Sequence, residues 1–136
     1  MSTFVSSNAY SENSAEDVIK TRKALFSKNY KTAKKVQSLS AEDEIDEAKE
    51  LMIEMSDNYK VLLELFPENS KKGFRTEALL TIWDDKKGFN SLMQKASDDM
   101  IKLASEIETA DDARSTIKKL MWANCKACHN KYREEH

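Results

Sequence analysis

The most regular stretch of the sequence is residues 45–66, IDEAKELMIEMSDNYKVLLELF. Its apolar residues recur every three or four positions, with charged residues between them, which is the period of an α-helix. The apolar positions are Ile45, Ala48, Leu51, Met52, Met55, Tyr59, Leu62, Leu63 and Phe66. Because a helix with one apolar face is not stable alone, this stretch predicts a core shared with other helices.

Three further stretches show the same period. They run from about residue 14 to 38, from about 84 to 107, and from 109–112 to about 133. Short connections join the first to the second stretch and the third to the fourth, which makes these neighbours antiparallel. The sequence therefore predicts an all-α protein, an antiparallel four-helix bundle.

Local signals suggest where these helices begin and end. Ser14 and Ser40 are each followed three residues later by an aspartate, as in a capping box, so they are predicted to open the first and second helices. Pro67 is predicted to stop the second helix. The segment 67–84 is predicted to be irregular, with a short helix over 76–81.

Length and composition limit the domain organisation and the function class. The 136 residues, with two Gly, one Pro and net charge −2, fit one helical domain over 14–136 after an N-terminal extension of 13 residues. No basic field favours nucleic acid or membrane surfaces as partners, and no apolar run approaches a bilayer span. The sequence has no phosphate loop and no nucleophile paired with a base, so we expect no enzyme.

The most specific motif is Cys125-Lys-Ala-Cys128-His129. This C-x-x-C-H pattern is that of covalent attachment of a c-type haem. On a helix the three residues share one face, so two thiols can bond to the haem vinyl groups while the imidazole ligates the iron. The motif predicts one covalently bound haem c, with His129 as axial ligand.

Three other readings of the motif exist. Cys125 and Cys128 could be small core residues, although the adjacent histidine would then face the same apolar surface. A thioredoxin-like redox pair needs a βαβ unit that this chain lacks. A zinc site could use both cysteines with His129 and His136, but ligation by two adjacent residues suits a tetrahedral ion poorly.

The sequence resembles the cytochrome c′ family, haem proteins of bacterial periplasms. The resemblance is carried by the motif with its continuation to Arg133 and by residues 16–22 (EDVIKTR), 82–83 (IW) and 99–103 (DMIKL), with Phe89 six residues after Trp83. Only the first 13 residues and the Lys/Glu-rich loop at 67–77 depart noticeably from the family. The resemblance implies a haem near the C-terminal end of the last bundle helix.

The resemblance also implies roles for charged residues. Arg22 would approach the haem propionates, which would explain a cation inside the apolar stripe of the first helix; the alternative is a surface arginine. Lys23 and Glu77 match positions near the haem edge. Arg133 would lie over the proximal side of the haem, on the helix face of His129, or else form a surface salt bridge.

Aromatic residues complete the implied pocket. Trp83 and Phe89 would pack against the macrocycle, and Phe26 would face the open side of the iron, although aromatic residues in a bundle pack in the core by default. Residues 14–38 contain neither Met nor His as a second axial ligand. We therefore expect five-coordinate iron that binds nitric oxide and carbon monoxide in a sterically restricted distal pocket. Without a hydrogen-bond donor beside Phe26, nitric oxide should be favoured over dioxygen.

The implied partners are diatomic gases, with electron transfer to and from a redox partner protein as the alternative function. The resemblance further implies a homodimer formed through the first two helices. Because thioether attachment normally takes place outside the cytoplasm, it implies a periplasmic location. The start of the chain has no basic and apolar signal segment, so we expect Met1 to be an added start on a mature sequence.

Overall fold

The computed structural model describes the backbone of residues 3–135 and the side chains of residues 15–135. These residues form α1 (Thr3–Ala41), α2 (Ile45–Leu62), α3 (Thr81–Asp84), α4 (Lys86–Glu106), α5 (Ala113–Ile117) and α6 (Ala123–Tyr132). The predicted four-helix bundle is confirmed: α1, α2, α4 and the continuous helical segment 113–132 are its helices. Within this part of the chain, no helix has both the length and the hydropathy to cross a bilayer.

The first helix is longer than predicted at both ends. It begins at Thr3, so the expected start near Ser14 is wrong. Residues 3–41 contain neither Gly nor Pro, and nothing therefore interrupts helical hydrogen bonding through this serine. Whether the first 13 residues act apart from the bundle stays a prediction.

The predicted cap of the second helix is also wrong. Ser40 lies in the last turn of α1, where its buried hydroxyl has no hydrogen-bond partner among the described residues. The chain reverses at Asp43, which takes a left-handed backbone conformation with φ of 63°. Glu44 then precedes α2 without a side-chain capping bond. A serine followed by an acid is thus compatible with a helix end as well as a helix start.

The long connection between α2 and α4 differs in detail from its prediction. The helix α2 ends at Leu62, before Pro67, and this proline instead precedes a 3₁₀ turn over Glu68–Ser70. The short helix lies at Thr81–Asp84 and not at 76–81. Residues 76–79 form no helix. Here Ala78 forms an antiparallel bridge with Arg133, and Leu79 N donates to Tyr132 O at 2.9 Å.

The last bundle helix begins where the sequence predicts, with the Asp112 carboxylate accepting a hydrogen bond from the Ser115 amide at 3.2 Å. Its middle, Lys118–Trp122, is a π-helical turn. A π turn takes up more residues per turn than an α-helix, so it changes the helix face that later residues occupy. It therefore helps to set the direction in which Cys125 points.

The end of the last helix is held against the start of α4 by Asp85. Its carboxylate accepts hydrogen bonds from Gly88 N at 3.2 Å, from Lys131 Nζ at 3.0 Å and from Tyr132 Oη at 3.0 Å. The bond from Lys131 is the largest cause that holds the pKa of Asp85 below its usual range. These contacts fix the helix turn that follows His129.

Candidate functional site

Cys125, Cys128 and His129 lie on α6 and line one cavity of about 670 Å³. Cofactor pockets commonly have volumes of about 300–1,000 Å³, so the cavity has the size for a large ligand. Both cysteines are half-buried free thiols. Burial raises the pKa of Cys125 and raises that of Cys128 to about 11, so both are neutral thiols near pH 7. A catalytic redox cysteine has a lowered pKa instead.

The other readings of the motif fit the structure poorly. No three His, Cys, Asp or Glu side chains of the described residues gather into a group that could hold a metal ion, which argues against zinc. The fourth ligand considered, His136, lies outside the described residues. Residues 3–135 form one isolated bridge and no strand, so a βαβ redox unit is absent there. Both cysteines are half-buried and face the cavity, and Cys128 also packs against the edge of the core.

The imidazole of His129 is held by Arg133, one turn later on the same helix. Arg133 Nη1 lies 3.2 Å from His129 Nε2. Since a guanidinium can only donate, Nε2 carries a lone pair in this contact. The same lone pair is the one with which a histidine ligates haem iron, so the arrangement fits an axial ligand. Arg133 also lines the cavity, and its position over the proximal side of a haem stays a prediction.

Arg22 lines the cavity and is almost fully buried, with 2% of its surface exposed. Nη1 donates to Leu65 O at 3.0 Å and to Ser70 Oγ at 2.7 Å. Nη2 donates to Ser70 O at 2.8 Å and to Thr76 Oγ1 at 2.9 Å. Burial lowers the pKa of Arg22 to about 10, which still leaves it charged near pH 7. The alternative of a surface arginine is therefore wrong. Through these hydrogen bonds Arg22 binds the connection that follows α2. Its contact with a propionate stays a prediction.

The predicted charged positions come together at the cavity. Arg22, Lys23, Arg133 and Glu77 all line it, so three cations face one carboxylate. Lys23 Nζ donates to Arg75 O at 2.6 Å, and Glu77 Oε2 lies 3.9 Å from Arg133 Nε. An excess of positive charge suits a cofactor that carries two carboxylates, as haem does with its propionates.

Four aromatic rings form a row along the cavity wall. Phe66 lies 6.2 Å from Phe26 and 4.7 Å from Phe89, and Phe89 lies 5.2 Å from Tyr132, as measured between ring centroids. Phe26 and Phe89 both line the cavity, and their contacts with a haem stay predictions. Trp83 is not among the cavity-lining residues; it packs behind Phe66 and donates from Nε1 to the Phe66 carbonyl at 2.9 Å. The sequence analysis missed the central position of Phe66, which ends the apolar pattern of residues 45–66.

Two polar side chains in the cavity wall were also missed. Asn29 is buried; its amide nitrogen lies 3.4 Å from Met55 O, and its oxygen accepts from Asn58 Nδ2 at 2.9 Å. The Tyr59 hydroxyl lies 4.0 Å from Cys125 Sγ, and burial raises its pKa above the usual range. The wall is thus less apolar than predicted. Asn29 could have been found from its spacing, since it lies seven residues after Arg22 on the same helix face.

Comparisons with known proteins agree with this geometry. A family model described as cytochrome C′ matches residues 17–133. Cytochrome c′ of Rhodopseudomonas palustris (strain ATCC BAA-98 / CGA009) is 32% identical over 120 residues, which cover 86% of this chain and 82% of that relative.

Solved structures show the same architecture. Cytochrome c′ from Rubrivivax gelatinosus has a TM-score of 0.74 at 25% identity, covering 88% of this chain and 97% of that one. A ferrous variant of cytochrome c prime from Alcaligenes xylosoxidans with bound nitric oxide has a TM-score of 0.75 at 20% identity, covering 90% and 97%; this likeness shows the fold alone. Because the family match extends over most of its length, the chain belongs to the cytochrome c′ family and binds a covalently attached haem c.

Proposed function

We propose that this protein binds nitric oxide and carbon monoxide at five-coordinate haem iron, with His129 as the axial ligand and Phe26 restricting the distal side. The main support for the proposal is the composition of the cavity wall formed by α1. Its lining residues include no methionine and no histidine; they are Arg22, Lys23, Phe26, Ser27, Asn29 and Tyr30. Nitric oxide is bound in the variant of cytochrome c prime from Alcaligenes xylosoxidans, and the family model places this chain in the same family.

The protein residues would have distinct tasks in this function. When bound, haem supplies an iron whose open coordination position takes a diatomic gas. Cys125 and Cys128 would hold the cofactor covalently, and His129 would ligate the iron through the Nε2 lone pair that otherwise accepts from Arg133. Nitric oxide and carbon monoxide bind ferrous iron without a hydrogen-bond donor, whereas dioxygen needs one. Since the Asn29 amide is directed toward a backbone carbonyl, we expect nitric oxide to be preferred.

Phe26→Ala will speed the binding of carbon monoxide and nitric oxide to the ferrous protein, because a half-buried ring leaves the cavity wall. Removal of a barrier of about 1.4 kcal/mol would speed binding about ten-fold. Stopped-flow mixing of reduced protein with each gas measures the on-rate. Leu25→Ala is the matched control, since it shortens a half-buried neighbour on α1 that does not line the cavity. Identical on-rates in the parent and in Phe26→Ala would contradict the gating role.

A one-electron carrier is the second candidate function, and Met93 on α4 is the observation that favours it. Met93 is buried and is the one methionine among the described residues that line the cavity. If its sulfur ligated the iron, the ferric protein would be six-coordinate and low-spin.

The ferric spin state distinguishes the two functions. We expect high-spin absorption and electron paramagnetic resonance spectra near pH 7, and we expect Met93→Leu, which nearly conserves side-chain volume, to leave them unchanged. A low-spin parent protein that becomes high-spin in Met93→Leu would instead support the electron carrier.

The implied periplasmic location and homodimer belong to this proposal as well. The proposed dimer uses α1 and α2, on which Tyr30 and Ile53 are exposed large side chains, with 54% and 47% of their surfaces accessible. Such apolar area suits an interface between two copies of the chain.

A further inference from the structure

Residues 71–75, Lys-Lys-Gly-Phe-Arg, form a basic and aromatic surface that we call the basic tip. The side chains of Lys72 and Arg75 are exposed, and Phe74 has 48% of its surface exposed. These five residues carry a charge of +3 in a chain with net charge −2, so the rest of the chain carries −5. Lys71 Nζ lies 2.7 Å from Glu68 Oε2, so part of this charge is neutralised, and the local positive field of the basic tip comes mainly from Lys72 and Arg75.

The backbone of the basic tip has an uncommon conformation. Gly73, Phe74 and Arg75 have φ values of 93°, 52° and 61°. Glycine adopts such values freely, but a bulky residue such as Phe does so only when its surroundings hold it there. An exposed aromatic side chain held in this way is a candidate contact for a binding partner.

Contacts at both ends hold the basic tip in place. Lys23 Nζ donates to Arg75 O at 2.6 Å, and Thr76 N donates to Gly73 O at 3.0 Å. Just before the tip, Ser70 accepts two hydrogen bonds from the buried guanidinium of Arg22. Hydrogen bonds thus tie both ends of the tip to α1 or to its own backbone.

The basic tip lies beside the mouth of the cavity. Lys23, which bonds to the tip, and Thr76, which follows it, both line the cavity. A protein seated on the tip would therefore be close to the edge of a haem held by Cys125 and Cys128.

We propose that the basic tip is a docking surface for an acidic protein that donates single electrons. Phe74 would contact the partner at the centre of the interface. Lys71, Lys72 and Arg75 would face carboxylates of the partner. The docked donor loses one electron to the ferric haem; no bond forms or breaks and no proton moves. The proposal goes beyond gas binding, because both candidate functions use the ferrous state, which a one-electron donor supplies.

An acidic protein fits this surface better than an anionic membrane does. Three cations with one aromatic ring are few for a membrane surface, and the acidic remainder of the chain would be repelled by it. Complexes between electron-transfer proteins, in contrast, bury small areas and depend on complementary charge.

The test compares two triple variants of the haem-loaded protein that have the same net charge. One is Lys71→Gln with Lys72→Gln and Arg75→Gln. The control is Lys102→Gln with Lys118→Gln and Lys119→Gln, which are exposed positions away from the cavity. The electron donor is a reduced plant-type [2Fe–2S] ferredoxin, an acidic protein that transfers one electron. Stopped-flow absorption measures the second-order reduction rate, and carbodiimide cross-linking with peptide mass spectrometry identifies the lysines in contact.

We expect the tip variant to be reduced about ten-fold more slowly than the control at an ionic strength of about 0.01 M, and at the same rate at about 1 M, where charges are screened. Cross-links should involve Lys71 and Lys72. Phe74→Gly suits the left-handed backbone and should slow reduction several-fold even at high salt. Carbon monoxide on-rates should be equal in all variants, which checks that the haem pocket is intact.

Three results would overturn the proposal. They are equal rates for the tip and control variants at low salt, cross-links confined to lysines outside the tip, and tip-dependent binding to phosphatidylcholine–phosphatidylglycerol vesicles without any effect on reduction by ferredoxin.

Discussion

Replacing both Cys125 and Cys128 by alanine will abolish the covalent attachment of haem. In the parent protein, the intact mass after acid-acetone extraction should exceed the polypeptide mass by one haem, because thioether bonds survive this treatment. In the double variant the extracted polypeptide should have its unmodified mass. The reason is that both thiols line the cavity beside His129 and no other cysteine exists in the chain. Mass spectrometry of the purified proteins makes the comparison.

The two single variants are the matched controls. Cys125→Ala and Cys128→Ala should each retain haem through one thioether, with an absorption spectrum that differs from the parent because one vinyl group remains unsaturated. A parent protein with unmodified mass and stoichiometric zinc would contradict the haem assignment. So would a double variant that still carries covalent haem.

Arg22→Leu should lower the free energy of unfolding by about 2–4 kcal/mol. Its guanidinium donates to the side chain and the carbonyl of the buried Ser70, and each buried acceptor left without a donor costs about 1–3 kcal/mol. Part of this loss is offset, because a buried charge is removed as well. Urea unfolding of the parent and the variant, followed by circular dichroism, measures the difference.

The same substitution tests the predicted contact with a propionate. Removing a cation close to the haem should shift the reduction potential and its pH dependence, since the cation changes the balance between ferric and ferrous charge. Arg22→Lys keeps the charge but cannot reproduce the forked hydrogen bonds, so it should restore much of the potential and little of the stability. An unchanged potential across pH in Arg22→Leu would show that this residue serves the fold alone.

Patterns formed by residues close in sequence were sufficient to predict most of the bundle helices and the cofactor motif. The period of three to four residues predicted α2 and α4, and the predicted start of the last bundle helix at 109–112 includes its N-cap, Asp112. The spacing of Cys125, Cys128 and His129 predicted three groups on one helix face, and the structure places all three on the cavity. Such features follow from helix geometry, which is already fixed by sequence separation.

Helix ends were predicted less well, because local signals there are ambiguous. Ser14 and Ser40 have the sequence of a capping serine but lie inside α1, since propagation of an existing helix needs no cap. A short helix was expected over 76–81, yet residues 76–79 form none, and Ala78 instead pairs with Arg133 at the end of the last helix. That pairing joins residues that are far apart in sequence, which no local pattern reports.

The roles of individual side chains in the site were decided by tertiary structure. Arg22 was identified from the sequence as a cation in an apolar stripe, but only the folded chain brings Ser70 and Thr76 to its guanidinium. Trp83 packs behind Phe66, a residue of the connection after α2, and does not line the cavity. The sequence by itself determined the helix faces and the cofactor motif, which depend on spacing along one helix. Tertiary structure decided which side chains meet across helices, because those contacts depend on packing between distant segments.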